Sequence, residues 1–263
     1  MDLGIAGKRA LVCGASQGMG YAIARALAAQ GAELFICSRT KENLSKLADE
    51  LGSEIGRRVY FEACDLSESA SREKLIEAVG KVFDGVDIII HNSGGPKSTR
   101  AEDTKVDDWV KGFELLFPAV AHLNETFVPG MKDRRWGRIV AVTSLSVMEP
   151  IPNLAISNAM RAAVTGMLKT LADEVAEFNI CVNCVAPGLI HTARTDERIK
   201  SLMAQKGGTY EEHMAAFVQS VPAKRLGSPE EFADVVAFLS SQRASYITGS
   251  TICVDGGKRR SGF

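Results

Sequence analysis

The sequence predicts a doubly wound α/β domain built on a single parallel sheet, and three observations predict it. Short β-rich apolar runs alternate with amphipathic helical stretches almost to the C-terminus. One run, Asp87-Ile-Ile-Ile90, is continuously apolar after its first residue, as a strand covered on both faces requires. No Pro/Gly/Ser-rich linker divides the 263 residues, so 1–263 reads as one domain.

Taken in order, Ala10 to Cys13 reads as the first strand and Gly18 to Ala29 as a helix closed by Gly31. Glu33 to Cys37 is a second strand, Lys41 to Leu51 a helix, Val59 to Cys64 a third strand and Glu68 to Phe83 a helix. After Asp87 to Ile90, one long helical stretch is expected from about Thr104 through Phe127. Gly137 to Val142 is strand five, Asn158 to Glu177 a helix, and Cys181 to Val185 strand six. Pro229 to Ser240, with proline in its first turn, is the last helix before the strand Thr251 to Val254. The segment 190–221 is helical but mixed in character, and its place after strand six marks it as a lid or substrate loop.

Composition narrows the function classes. A formal net charge of -1 gives no electrostatic reason to bind nucleic acid or an anionic membrane. No apolar run reaches the ~18 residues of a membrane span, and Asp2, Lys8 and Arg9 interrupt any signal-peptide core. Six cysteines are present. Cys181 and Cys184 have redox or metal spacing, but on a strand positions i and i+3 face opposite sides, so both read as small buried residues. That pattern suits a reducing cytoplasm, and no cluster has metal-ligand spacing.

Gly14-Ala-Ser-Gln-Gly18-Met-Gly20 follows strand one and opens the first helix. Glycines there permit a tight turn and a close approach of backbone to a pyrophosphate, with the helix N-terminus aimed at its charge. A dinucleotide site is therefore expected. At the end of strand two stand Ser38, Arg39, Thr40 and Lys41, with no carboxylate before Glu42 to accept from a ribose 2′-hydroxyl. A guanidinium matches a 2′-phosphate instead, so NADP(H) is favoured over NAD(H).

These residues resemble the short-chain dehydrogenase/reductase family, and the resemblance covers almost the whole chain. It takes in Asp65 after strand three, Asn92-Ser93-Gly94 after strand four, and the loop Pro187-Gly188-Leu-Ile190-His-Thr192. It also takes in Arg225-Leu-Gly-Ser-Pro-Glu230, Ile247-Thr-Gly249 and Val254-Asp-Gly-Gly257. In pattern it is most similar to β-ketoacyl carrier-protein reductases, with Cys13 in place of their threonine. The resemblance implies a Rossmann domain of strand order 3-2-1-4-5-6-7. It implies cofactor contacts from Ser16, Gln17 and Met19 in the glycine loop, Asp65 and Leu66 at the adenine, and Asn92, Ser93 and Gly94. Pro187, Gly188, Ile190 and Thr192 would lie over the nicotinamide. A homodimer or homotetramer through the fourth and fifth helices is implied as well.

The family's catalytic pattern is broken. Its serine is present as Ser144, but Ser157 stands at the tyrosine position and Arg161 at the lysine one turn later. Leu116 takes the place of the helix-four asparagine. An aliphatic hydroxyl is far less acidic than a phenol, and arginine cannot give up its proton, so a lysine-type relay is unavailable. Three readings stay open. The chain is a carbonyl/alcohol oxidoreductase acting on a small-molecule substrate, with Ser144 and Ser157 on the oxyanion, Arg161 on the ribose or substrate, and a proton from water, His191 or Tyr210. Alternatively the scaffold serves an elimination or isomerisation, or it is a regulatory module that only binds NADP(H). Lys97 is a candidate to reach an anionic substrate near the cleft. Arg39→Asp is expected to weaken NADPH binding at least tenfold and spare NADH; a fluorescence titration showing equal loss of both would remove the 2′-phosphate argument.

Overall fold

Seven strands lie side by side in the order β3-β2-β1-β4-β5-β6-β7 in a computed structural model that describes residues 1–261. They are β1 Arg9–Cys13, β2 Glu33–Ser38, β3 Tyr60–Ala63, β4 Ile88–His91, β5 Gly137–Val142, β6 Ile180–Pro187 and β7 Thr251–Val254. Every pairing is parallel, as crossover helices require. The order reverses between β1 and β4, which opens a crevice outside their carboxyl ends.

Alternation along each strand makes two cores. Ala10 and Val12 of β1 face one side with Ile88 and Ile90 of β4 and Val140 of β5. There they meet Ile23 and Leu27 of α1 (Gly18–Ala29), Leu44 and Leu47 of α2 (Lys41–Ile55), and Phe232 and Val236 of α9 (Pro229–Leu239). Leu11, Cys13, Ile89 and Ile139 face the other side. They pack on α3 (Ser69–Gly80) through Leu75 and Val79, on α5 (Pro118–Arg134) through Leu123, and on α6 (Ala155–Val175) through Val164 and Leu168. Each fully buried aliphatic side chain contributes about 1.5–3 kcal/mol, so a strand apolar at every position stabilises both layers at once. The cysteines are free thiols, and Cys181 and Cys184 are both buried in strand β6, which is paired on both sides.

Two expectations of element shape change. The long stretch expected from about Thr104 through Phe127 is divided into α4 at Val106–Leu116 and then α5, with a short 3₁₀ turn at Ala101–Asp103 before it. Pro118 causes the break, because it lacks the N–H that would continue the helix and sits well in a first turn. Segment 190–221 holds two separate helices, α7 at Ala193–Lys206 and α8 at Tyr210–Gln219. Gly207 and Gly208, both at positive φ, part them, and Thr209 with Glu212 forms a capping box for α8. The last helix starts at proline as expected, and Ser228 and Glu231 close its first turn reciprocally. No described helix is long and apolar enough to cross a membrane.

His91 ends β4 on the α5 side, 5% exposed, and shares a 2.9 Å hydrogen bond with Asn124 of α5. Burial pushes its pKa down to about 4. The unfolded chain takes up this proton near pH ~6.5 and the folded chain only well below it, so stability falls as pH drops through that window. Urea unfolding at pH 7 and pH 5 is expected to show roughly 2 kcal/mol more loss in the parent than in His91→Gln. Equal losses in both proteins would mean that His91 does not set the slope.

Candidate active site

The glycine turn is held shut from β4. Asn92 Nδ2 donates to the Gly14 carbonyl at 3.1 Å. A Cβ on Gly14 would lie 2.7 Å from the Asn92 carbonyl oxygen, and one on Gly20 would meet the Gly14 carbonyl and lie 2.7 Å from Asn92 Nδ2. Close packing of backbone on backbone therefore demands glycine at both places. Gly18 has φ +57, a left-handed backbone that glycine adopts without strain. Its Cα side faces Thr192, 3.5 Å from where a Cβ would stand, so the loop after β6 closes on the turn.

The helix behind this turn is open to an anion. Gln17, at the N-cap of α1, gives no side-chain cap, and the first turn carries no acidic residue. Its free N–H groups, with the positive end of the helix dipole, lie at the turn that carries Ser16, Gly18 and Met19. At the end of β2, Ser38 Oγ is buried without a hydrogen-bond partner, and the next residue, Arg39, is exposed. An orphaned hydroxyl beside an exposed guanidinium fits a phosphorylated or hydroxylated ribose. Asp65 follows β3, and hydrogen bonds from Ser67 hold its carboxyl below the usual range. Oδ1 takes both Ser67 bonds, leaving Oδ2 for a ligand. Leu66 is tied through its carbonyl to Arg72. Ser93 and Gly94 continue from Asn92 into the crevice loop.

On the far side, Gly188 N donates to the Val254 carbonyl, and a Cβ on Gly188 would lie 2.6 Å from Asp255 Cα. That contact seats the loop Pro187 to Thr192 on the C-terminal strand. Ile190 is buried and takes the Thr195 hydroxyl on its carbonyl. The residues present therefore fit a dinucleotide laid across the switch point.

Ser144 leaves β5 and accepts the Ser146 N–H at 3.1 Å, which leaves its own hydroxyl hydrogen free to donate. Ser157, 8% exposed, and Arg161 lie one turn apart on the same face of α6. Arg161 Nη1 donates to the Val142 carbonyl at 2.8 Å, anchoring the guanidinium at the end of β5. Burial, helped by the charge of Arg194, pushes its pKa down to about 10, so it stays cationic at neutral pH. A cavity of about 20 Å³ is lined by Arg161, Asn92, Ser93, Thr143 and Leu116. It has room for roughly one water, with Leu116 as an apolar wall. Ser144 and Ser157 do not line this cavity.

Several sequence candidates are placed elsewhere. Lys97 pairs with Asp108 at 3.1 Å, so its charge is neutralised on α4 instead of reaching for a substrate. Tyr210 donates its hydroxyl to Asp196 at 2.6 Å, and that bond raises its pKa, which makes it a poorer acid than a free phenol. His191 lies 3.3 Å from the same Asp196 oxygen. Among the described residues no three His, Cys, Asp or Glu side chains gather as a metal site. Sequence reasoning missed Arg194, whose guanidinium rests on Gly95; the Arg194/Arg198 spacing, one face of a helix, was the available signal.

Residues 14–259 match the family described as enoyl-(acyl carrier protein) reductase. The chain is 38% identical over 251 residues to "Dehydrogenase/reductase SDR family member 4" of Bos taurus, covering 95% of this chain and 86% of that protein. L-Sorbose reductase from Gluconobacter frateurii, solved with NADPH and L-sorbose, superposes with a TM-score of 0.94 at 35% identity, covering 99% of this chain and 100% of that one. An actinorhodin polyketide ketoreductase variant, solved with NADPH, superposes at 0.90 with 29% identity over 96% and 97% of the two chains.

Gly20→Ala is expected to abolish dinucleotide binding and to cost about 1–3 kcal/mol of stability, because the new methyl displaces the Gly14 carbonyl. Calorimetric titration with NADPH showing parent-like affinity would mean that the turn does not carry the site.

Proposed function

The chain belongs to the short-chain dehydrogenase/reductase family, and we propose that it reduces a carbonyl group on a small molecule with NADPH, using Ser144, Ser157 and Arg161 where the family uses serine, tyrosine and lysine. When bound, NADPH supplies a hydride to the carbonyl carbon. The carbonyl oxygen takes up the electron pair and then one proton, giving the alcohol. Ser144 and Ser157 donate hydrogen bonds to that oxygen as charge develops on it. Arg161 holds a fixed positive charge nearby, which favours the oxyanion without giving up a proton. Water supplies the proton, since Tyr210 is engaged by Asp196 and neither serine is acidic enough.

The observation that carries this reading is the anchoring of Arg161 to the Val142 carbonyl. That bond holds the half-buried guanidinium at the end of β5, two residues before Ser144. Preference for NADP(H) is supported by Ser38 and Arg39, and by the NADPH in the solved reductases. Assembly as a homodimer or homotetramer is supported by Val106, Val110 and Phe113, exposed in one stripe along α4. Six free thiols suit a reducing cytoplasm.

NADPH oxidation followed at 340 nm over ketones, aldehydes, oxo acids and acyl thioesters tests the reading. Turnover is expected in the parent, reduced at least about tenfold in Ser157→Ala and in Arg161→Ala. A silent parent beside an active Ser157→Tyr/Arg161→Lys variant would identify a cofactor-binding module instead.

A further inference from the structure

Two arginines, Arg161 and Arg194, stand at the crevice without an acid. Arg194 leaves the first turn of α7, and its guanidinium lies against Gly95 in the loop after β4, in the space a Cβ would fill. Its charge reaches Arg161, and it also reaches Arg198, whose pKa is lowered by burial and by Arg194. Neither Arg161 nor Arg194 has a carboxylate within ion-pair distance among the described residues, unlike Arg9, Arg25, Arg100, Arg134 and Arg225. The acid on the same turn, Asp196, is occupied by Tyr210 and His191. Lys97, the other cation on the crevice loop, is neutralised by Asp108. Like charges close enough to lower the Arg161 pKa repel one another, and a bound anion removes that cost.

The dinucleotide does not account for this charge. Its pyrophosphate belongs at the free N–H groups of α1, and a 2′-phosphate belongs at Ser38 and Arg39. The Arg194 guanidinium lies at Gly95 in the loop after β4, and its charge is felt by Arg161, which is anchored at the end of β5. We propose that Arg194 is the seat for a carboxylate on the substrate, so that the enzyme acts on oxo-carboxylic acids in preference to neutral carbonyl compounds. The planar fork takes both carboxylate oxygens, and the missing Cβ at Gly95 lets it lie flat in the cleft. Arg161 is then left for the carbonyl oxygen one or two bonds away. The assignment rests on the carbonyl-reductase reading above.

Paired substrates test it: 2-oxo and 3-oxo acids of four to six carbons, each against its neutral amide. The parent is expected to favour the acid at least tenfold in kcat/KM. Arg194→Ala removes that discrimination while the Kd for NADPH stays unchanged, and Gly95→Ala reproduces the loss by occupying the guanidinium's place. Arg194→Lys restores only part of it. No preference for the acid in the parent, or equal loss for acid and amide in Arg194→Ala, would overturn the assignment. A parallel rise in the Kd for NADPH would make Arg194 a ligand of the cofactor phosphates. Titration of the NADP⁺ complex with 2-oxopentanoate and with its amide separates the two readings when no substrate turns over. Acid-selective binding that is lost in Arg194→Ala keeps the seat and removes the reductase reading; no selective binding removes the seat.

Discussion

The close contact of Asn92 with Gly14 and Gly20 governs the arrangement of the site. The sheet reverses its order between β1 and β4, so two strand ends must meet with no crossover chain between them. One amide, donating across the reversal to the Gly14 carbonyl, joins the loop of one strand to the loop of the other. It works only because neither glycine has a Cβ. From that join follow the direction of α1, the exposure of its first N–H groups and the placement of Thr192 over the turn.

The catalytic face is organised by a second backbone contact. Arg161 spends one of its five donors on the Val142 carbonyl, which fixes a cation at the end of β5 where a lysine would keep a mobile one. A fixed cation can stabilise developing charge and cannot shuttle protons. Leu116 closes the neighbouring cavity with an apolar wall.

The fold was legible because its signal is local. Strand runs such as Ile88 to Ile90 declare two-sided burial by being apolar at successive positions, and the Ser228/Pro229/Glu231 start of α9 declares itself by residue type. The division at Pro118 was readable in principle, but the apolar periodicity on either side of it is continuous, and that continuity masked the break. The fates of Lys97 and Tyr210 were not readable. Their partners, Asp108 and Asp196, lie on other elements, and exposed acids are common enough that proximity along the chain does not pair them.

Sequence alone determined the strands and their flanking helices, apart from the breaks at Pro118 and Gly207, together with the glycine turn and the basic end of β2, because backbone geometry and residue chemistry act within a few positions. Only the tertiary structure decided which charges are neutralised and which are left over. Arg194 is separated from Gly95 by two strands and three helices, and ion pairing depends on distances of a few ångströms that the chain sets only when it is folded. The place of Arg194 at the crevice is therefore a property of the packing of α7 against the crevice loop.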